Sequence, residues 1–416
     1  MKTGTKKIHK IIYVLDSHRV LNDRVEKLVS LREKFDKMIL VKSGRERTAG
    51  ETILINPKFN PTSILLKLGL HKLDKLLDRY VFFPSSTVFF VKSAIKRLHS
   101  EIRRDFANAS NVCLITCLPP HDLVLAGLSL KRYFPQLEWI IDWQDLWSYD
   151  ENYYERNPKY YRKKMLKLES DALSASDINI TTNHYAKHVL EAHYNVPAER
   201  IVSINHHFSR DDMPVRLLSE PCVSMNASNK IIKIGFLGTL FKTPRVPGEK
   251  IVEAVKYVRR KGLEVELHVY GNLPKFFERM SREKPFEGLV MHGNAGHKES
   301  LENIAQYDFL LLVLSDLPNC RAVMSIKLPH YLMVGKPIIA VVPDPSAVAD
   351  IVRETGSGYV IPSNSDWGEA LTRMLESYKQ GNQFLERNEQ AINAFSWENI
   401  SNQWLDLLYQ DHRVYS

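Results

Sequence analysis

Ser325-Ile326-Lys327-Leu328-Pro329-His330-Tyr331-Leu332-Met333-Val334-Gly335-Lys336-Pro337 runs straight into the apolar stretch Ile338 to Val342. The segment reads as a short helix followed by a buried strand. Glycine just past the last helical residue supplies the left-handed conformation that ends a helix, and Pro337 blocks continuation. Proline is tolerated in a helix only in the first turn, so Pro329 requires a start close to Ser325 or Ile326. Ser325 and Lys327 are thereby placed at a helix N-terminus, where backbone N–H groups and the helix dipole favour an anion. A diphosphate is one reading; an ordinary capped helix of an α/β domain is the other.

Outward from this segment, strand and helix signals alternate. Toward the N-terminus, Ile231 to Leu237, Glu264 to Tyr270, Leu289 to His292 and Phe309 to Leu314 read as strands, with helices over 247–261, 274–283 and 298–306. Toward the C-terminus follow a helix over 345–355, a strand from Tyr359 to Ile361, and helices over 365–379 and about 383–412. The first half repeats the pattern. Ile11 to Leu15, Met38 to Val41, Val112 to Leu118, Trp139 to Asp142, Ile178 to Thr181 and Ile201 to Ile204 read as strands. Helices are expected over 22–35, 62–78, 88–104, 121–133, 158–174 and 183–193. Such alternation predicts parallel sheets covered on both faces. Residues 209–229 are polar and irregular and read as a linker. The expectation is an α/β protein of two Rossmann-like, doubly wound parallel-sheet domains facing a cleft. They are assigned to residues 1–208 and 230–390, and the C-terminal helix at about 390–416 is expected to pack back on the first.

The composition agrees with this. A chain of 416 residues, 44% hydrophobic and 25% charged, is too long for one ordinary core and has the balance of a globular protein. Net charge is +9 (57 basic minus 48 acidic residues). The densest basic stretch, 67–104, carries nine Lys/Arg against three Asp/Glu, interleaved with leucines and aromatics. It suits an anionic membrane surface or nucleic acid, or a helix pair with lysines on its wet side. Four cysteines without zinc-site spacing make no disulfide framework. Cys113 and Cys117 on one strand face would stand about 13 Å apart, too far to bridge. The apolar run Ile11 to Leu15 is too short for a signal peptide, and no stretch approaches transmembrane length. The expected location is cytoplasmic, with peripheral contact at the inner membrane face as an option.

In open parallel sheets, ligands bind beyond the carboxyl ends of the strands. After the first strand of the second half come Gly238, Thr239, Lys242 and Arg245; glycine admits close backbone approach and the two bases suit phosphate oxygens. After later strands come Gly271-Asn272 and His292-Gly293, either ligand-lining or plain turns. In the first half, His121 and Asp142-Trp143-Gln144-Asp145-Leu146-Trp147 lie at strand ends. Asp142 and Asp145 suit a base, a hydroxyl ligand or a helix cap. The aromatics at 143, 147, 149, 153 and 154 suit a sugar or lipid site, or plain packing. There is no phosphate-binding Walker loop, no complete Gly-x-Gly-x-x-Gly and no Asp-x-Asp for holding Mg²⁺ on a diphosphate. A phosphate leaving group would fall to bases and a helix N-terminus, with no metal or other cofactor expected.

Together these stretches resemble the GT-B glycosyltransferases, in particular the large retaining group known as family 4. In the first half the likeness rests on Pro119-Pro120-His121, Ile141 to Trp147, Glu169-x-Asp-Ala-Leu-x-x-Ser-Asp177 and Tyr194 to Ile201. In the second it rests on Gly235 to Leu240, Ser325 to Leu328 and Tyr331 to Ala340. The resemblance implies a nucleotide-sugar donor bound mainly by the second domain and a saccharide or lipid-linked acceptor held by the first. It also implies metal-independent transfer with retention, serving cell-surface polysaccharide or lipopolysaccharide synthesis, and no nucleic-acid partner. Lys242 or Arg245, with Lys327 and the helix start at Ser325, would stabilise the departing diphosphate; Asp145 is a further catalytic candidate. Donor contacts would come from Gly238, Thr239, Gly271, Asn272, His292, Gly293, Ser325, Ile326, Lys327, Leu328 and His330, and acceptor contacts from His18, His121 and Asp142. The chain departs from the family where two glutamates are usual: it has Ala322 and His330. Two other classes stay open, a GT-B protein that binds nucleotide-sugar or a partner without transfer, and a nucleotide-sugar epimerase.

Overall fold

The computed structural model describes residues 8–18, 21–44, 50–57, 61–109, 111–149, 157–212, 231–238, 246–271, 287–380 and 386–413. The chain divides into two compact units, Met1–Ile204 with Ser401–Ser416, and Asn205–Ile400. Most of the expected linker lies outside the described residues.

The first unit is built on β1 (Ile8–Leu15), β2 (Phe35–Ser43), β3 (Thr52–Ile55), β4 (Val112–Leu118), β5 (Glu138–Trp143), β6 (Ile178–Thr181) and β7 (Ile201–Ser203). They form one sheet in the order β3-β2-β1-β4-β5-β6-β7, every pairing parallel. The second unit holds β8 (Ile232–Leu237), β9 (Val265–Tyr270), β10 (Leu289–Gly293), β11 (Phe309–Val313), β12 (Ile338–Val342) and β13 (Gly358–Pro362). Their order is β10-β9-β8-β11-β12-β13, again all parallel. The strand order reverses between β1 and β4 in one sheet and between β8 and β11 in the other. Those are the two points where a doubly wound sheet opens a crevice at its carboxyl edge. β4, β5, β11 and β12 are buried along their whole length, as strands covered on both faces must be.

The structure departs from the sequence pattern in four places. The helix expected over 22–35 is α1 (Asp23–Ser30), followed by a 3₁₀ turn over Leu31–Lys34. Phe35 then opens β2, because pairing with Ile8 draws it into the sheet. The helix expected over 62–78 is two, α2 (Pro61–Lys67) and α3 (His71–Tyr80), parted at Leu68-Gly69-Leu70; α4 (Val88–Phe106) follows. The edge strand β3 had no sequence signal. The terminal helix is interrupted between Glu389–Asn393 and Trp397–Tyr409, where Phe208 N donates to Phe395 O (3.0 Å) and Trp397 N donates to Phe208 O (2.8 Å).

The last residues are tied into the first sheet by a buried charge. Lys10, on β1 and 1% exposed, lies 2.6 Å from Glu138 on β5. Its ammonium also donates to the carbonyls of Leu408 (3.1 Å) and Gln410 (3.0 Å), and Glu138 accepts from His412 N at 3.1 Å. Burying an ammonium is tolerable only when its charge and donors are met this fully.

Candidate functional site

At the carboxyl edge of the second sheet, three strand ends are stitched together by backbone. Gly238 N, after β8, donates to Tyr270 O (2.8 Å), and Gly271 N, after β9, donates to Gly293 O at the end of β10 (2.7 Å). Gly271 has φ +153°, and a Cβ there would stand 2.2 Å from Gly238 O. Gly238 has φ +124°, and a Cβ there would stand 2.4 Å from Lys327 Nζ. Gly271 requires glycine for conformation and for space, and Gly238 for conformation.

The ammonium beside Gly238 is delivered by the segment that follows β11. The helix is Lys327–Val334; Ile326, rather than Ser325, occupies the cap position, and Ser325 Oγ lies a long 3.4 Å from Lys327 N. Pro329 is the third helical residue, inside the first turn, and Gly335 closes the helix at φ +79°. Tyr331, fully buried one turn on, accepts from Leu237 N at 3.1 Å and so fixes the helix against β8. Leu328 is core, and Ile326 is 62% exposed. The Lys327 ammonium lies 4.7 Å from the centre of the Phe236 ring. Desolvation lowers its pKa to about 8. Among the described residues no carboxylate pairs with it.

His330 and His292 are committed locally. His330 Nδ1 donates to Ile326 O (3.0 Å), which leaves Nε2, shielded from solvent, as the acceptor nitrogen of the ring. His292 stacks on Tyr270 (4.3 Å, 7°), and its Nε2 lies 3.0 Å from His268 Nδ1 and 3.4 Å from Tyr307 OH. Burial, then the neighbouring His268, lowers the His292 pKa, favouring the neutral ring. Ala322 lies in the 3₁₀ turn Pro318–Ala322. Thr239, Lys242, Arg245 and Asn272 lie outside the described residues, as do Tyr153 and Tyr154.

The carboxyl edge of the first sheet satisfies its charges internally. Arg24, on α1, donates to Asp142 from Nε (2.9 and 3.2 Å) and from an η nitrogen (2.8 Å), and both residues are buried. Gln144 Nε2 also donates to Asp142 (3.2 Å), and Asn22, the cap of α1, donates to Gln144 (3.1 Å). Asp142 is thus the buried partner of an arginine. Trp143 and Trp147 are likewise fully packed rather than displayed. His121 stacks on Trp147 (5.1 Å, 5°) and pairs its Nε2 with the carbonyl of half-buried Asp145 (3.1 Å). Glu169 accepts from Trp147 N (3.1 Å) and Tyr194 OH (2.6 Å), holding the loop after β5. His18, after β1, does reach solvent. Its Nδ1 lies 2.7 Å from Asp16 Oδ1, and this bond, ahead of an opposing desolvation, raises its pKa. Asp16 is 1% exposed, and its Oδ2 has no partner among the described residues.

Sequence reasoning missed Arg24, Asp16 and Tyr331. The first two carry no local signal, because their partners or roles depend on the folded sheet end. Tyr331 belonged to the quoted helix, but no role was assigned to it.

No protein-family model matches the chain, and no curated protein matches it in sequence. Solved structures do. The chain is similar to Anabaena Alr3699/HepE in complex with UDP-glucose (12% identity, 96% of this chain and 99% of that one, TM-score 0.63). It is similar to the lipopolysaccharide outer core galactosyltransferase WaaB in its apo form (12%, 96% and 99%, TM-score 0.60). It is also similar to the UDP-GlcNAc 2-epimerase of Neisseria meningitidis bound to UDP-GlcNAc (11%, 97% and 100%, TM-score 0.54). At these identities the likeness establishes the fold, which is GT-B, the two-Rossmann-domain fold of glycosyltransferases such as WaaB and HepE.

Proposed function

We propose that the chain is a glycosyltransferase that moves a sugar from a nucleotide-sugar to a saccharide or lipid-linked acceptor in cell-surface polysaccharide synthesis, working at the cytoplasmic face of a membrane. One observation carries the reading. Lys327 holds a desolvated ammonium that has no carboxylate partner among the described residues, beside Gly238 at the reversal point of the second sheet. A buried cation is costly without a counter-charge, and a diphosphate supplies one. In the transition state, charge builds on that leaving group, so a fixed cation there lowers the barrier to transfer. Lys242 and Arg245 are assigned to the same diphosphate, with Gly238, Thr239, Gly271, Asn272, His292, Gly293 and Ser325 to Leu328 as donor contacts. His330 is assigned to a donor hydroxyl, and His18 and His121 to the acceptor side. Asp145 is kept as a catalytic candidate. Retention and independence of metal follow from the resemblance to family 4.

An epimerase is the second reading, favoured by the similarity to the Neisseria enzyme. Alanine at 322 and histidine at 330 leave the donor side of the quoted helix without the carboxylates that such chemistry uses.

The test is thermal stabilisation by UDP-, GDP-, ADP- and CMP-sugars, with and without EDTA, followed by analysis of the products. A ligand that binds only the native state raises the melting temperature according to its affinity. The expected result is stabilisation by one nucleotide class, unchanged by EDTA and lost in Lys327→Met, with donor hydrolysis when acceptor is absent. No stabilisation by any nucleotide sinks the donor site, and a C2-epimerised nucleotide-sugar as product assigns the second reading.

A further inference from the structure

The basic, apolar stretch 67–104 divides sharply in the structure. α4 turns Phe90, Val91, Ala94, Leu98 and Ile102 into the core, as an ordinary amphipathic helix does. α2 and α3 do the reverse. Of fourteen exposed large hydrophobic residues among those described, eight fall between 64 and 81. On α3, Leu73, Leu76 and Tyr80 recur at helical spacing and are exposed; Ile64 and Leu66 on α2 and Leu68 just beyond it are exposed too, Leu68 at 66%. An apolar patch this concentrated marks an interaction surface.

The charges around the patch select its partner. Lys67, Lys72 and Lys75 are exposed, whereas Asp74 and Asp78 are partly covered, and Asp78 is engaged by Ser86 N at 2.7 Å. The segment 61–81 carries four Lys/Arg and two Asp, so even its full count is +2 (4 minus 2). Leucine beside lysine is the composition of helices that lie in a lipid interface. Protein interfaces instead favour aromatic and arginine residues and are depleted in lysine. Helices of seven and ten residues are far too short to cross a bilayer, and no described helix is long and apolar enough to do so.

We propose that the α2–α3 hairpin is a membrane-docking element, seating its Ile64-to-Tyr80 apolar face among the acyl chains of an anionic bilayer while Lys67, Lys72 and Lys75 meet the headgroups. It gives the membrane contact of the proposed function its structural element and rests on that reading only for its purpose. Docking is measured without nucleotide or acceptor, so its failure leaves the donor site untouched.

The experiment is co-sedimentation of the full chain with phosphatidylcholine vesicles, with and without phosphatidylglycerol. Binding is expected to the vesicles containing phosphatidylglycerol and to weaken in high salt. Leu73→Ser with Leu76→Ser should lower it about tenfold or more. Lys67→Gln, Lys72→Gln and Lys75→Gln together should remove the preference for anionic lipid. All these side chains are exposed, and an unchanged melting temperature confirms that the variants fold. The proposal is overturned if the parent stays in the supernatant with both vesicles, or if the leucine variant binds as the parent does. A dimer in light scattering that Leu73→Ser with Leu76→Ser converts to monomer, without vesicle binding, assigns the face to a second copy of the chain instead.

Discussion

The carboxyl ends of the two sheets solve opposite electrostatic problems. In the first unit, Arg24 and Asp142 neutralise each other below the surface, with Gln144 and Asn22 completing the network. In the second, Lys327, at the start of the helix after β11, has no carboxylate partner among the described residues and lies beside Gly238. A buried pair spends its charge on holding the fold, whereas an uncompensated cation destabilises the empty protein and gains a counter-ion only with a ligand. The contrast therefore separates a structural sheet end from a receptive one.

The largest expected effect lies in the first unit. Arg24→Ala leaves Asp142 buried without its counter-charge, which costs about 3–5 kcal/mol in urea unfolding. It also removes the guanidinium 5.3 Å from the Trp404 ring centre, so some packing is lost with the charge. Replacing both partners, Arg24→Met with Asp142→Leu, should recover most of the loss, because matched apolar groups need no counter-ion. A cost of only ~1 kcal/mol for Arg24→Ala, the size of an exposed pair, would show that water reaches this network and would erase the contrast.

Next comes Lys327→Met in the second unit. A charge-assisted bond to a phosphate is worth about 1.5–3 kcal/mol, so nucleotide affinity should fall about 10- to 100-fold by calorimetry. Stability of the empty protein should hold or rise, since a desolvated charge has been replaced by an apolar chain of similar length. Destabilisation on the scale of Arg24→Ala would mean that Lys327 holds the fold together, and the two sheet ends would then be alike.

The sequence revealed these two ends unequally, for physical reasons. The helix stop at Gly335, the limit set by Pro329 and the buried strand Ile338 to Val342 are local facts, legible within a dozen residues. Most strands were legible in the same way, being short apolar runs between turn residues. β3 was not, because four residues at a sheet edge carry no period of their own. Phe35 continued the helical spacing of Val25, Leu28 and Leu31, and only its pairing with Ile8 put it in a strand. The charge pairs were the least legible. Lys10 meets Glu138 across 128 residues of chain, and Arg24 meets Asp142 across 118. Before folding, Asp142 is indistinguishable from a carboxylate waiting for substrate. Lys327 had the converse advantage: a helix start after a strand, at the reversal point of a sheet, is itself a statement about anions.

The smallest and most discriminating effect is the pH dependence of that lysine. Desolvation lowers its pKa from 10.5 to about 8 in the folded protein. Between about 8 and 10.5 the unfolded chain binds the proton that the folded one has released, so this group makes stability rise with pH across that window. Below about 8 both states are protonated and its full destabilising effect is present. Nucleotide binding should run the other way. The diphosphate needs the ammonium, so affinity falls as pH rises through about 8, approaching tenfold per unit well above it. Both phosphates of a nucleotide-sugar are esterified and already ionised at neutral pH, so weakening above 8 arises from the protein. A bound diphosphate also restores the proton, and calorimetry in buffers of different ionisation enthalpy should show proton uptake on binding above pH 8. Lys327→Met should abolish both the slope and the uptake. A wild-type affinity that stays flat from pH 7 to 9.5 would place the diphosphate away from Lys327, and the receptive character of the second sheet end would have to rest on Lys242 and Arg245 instead.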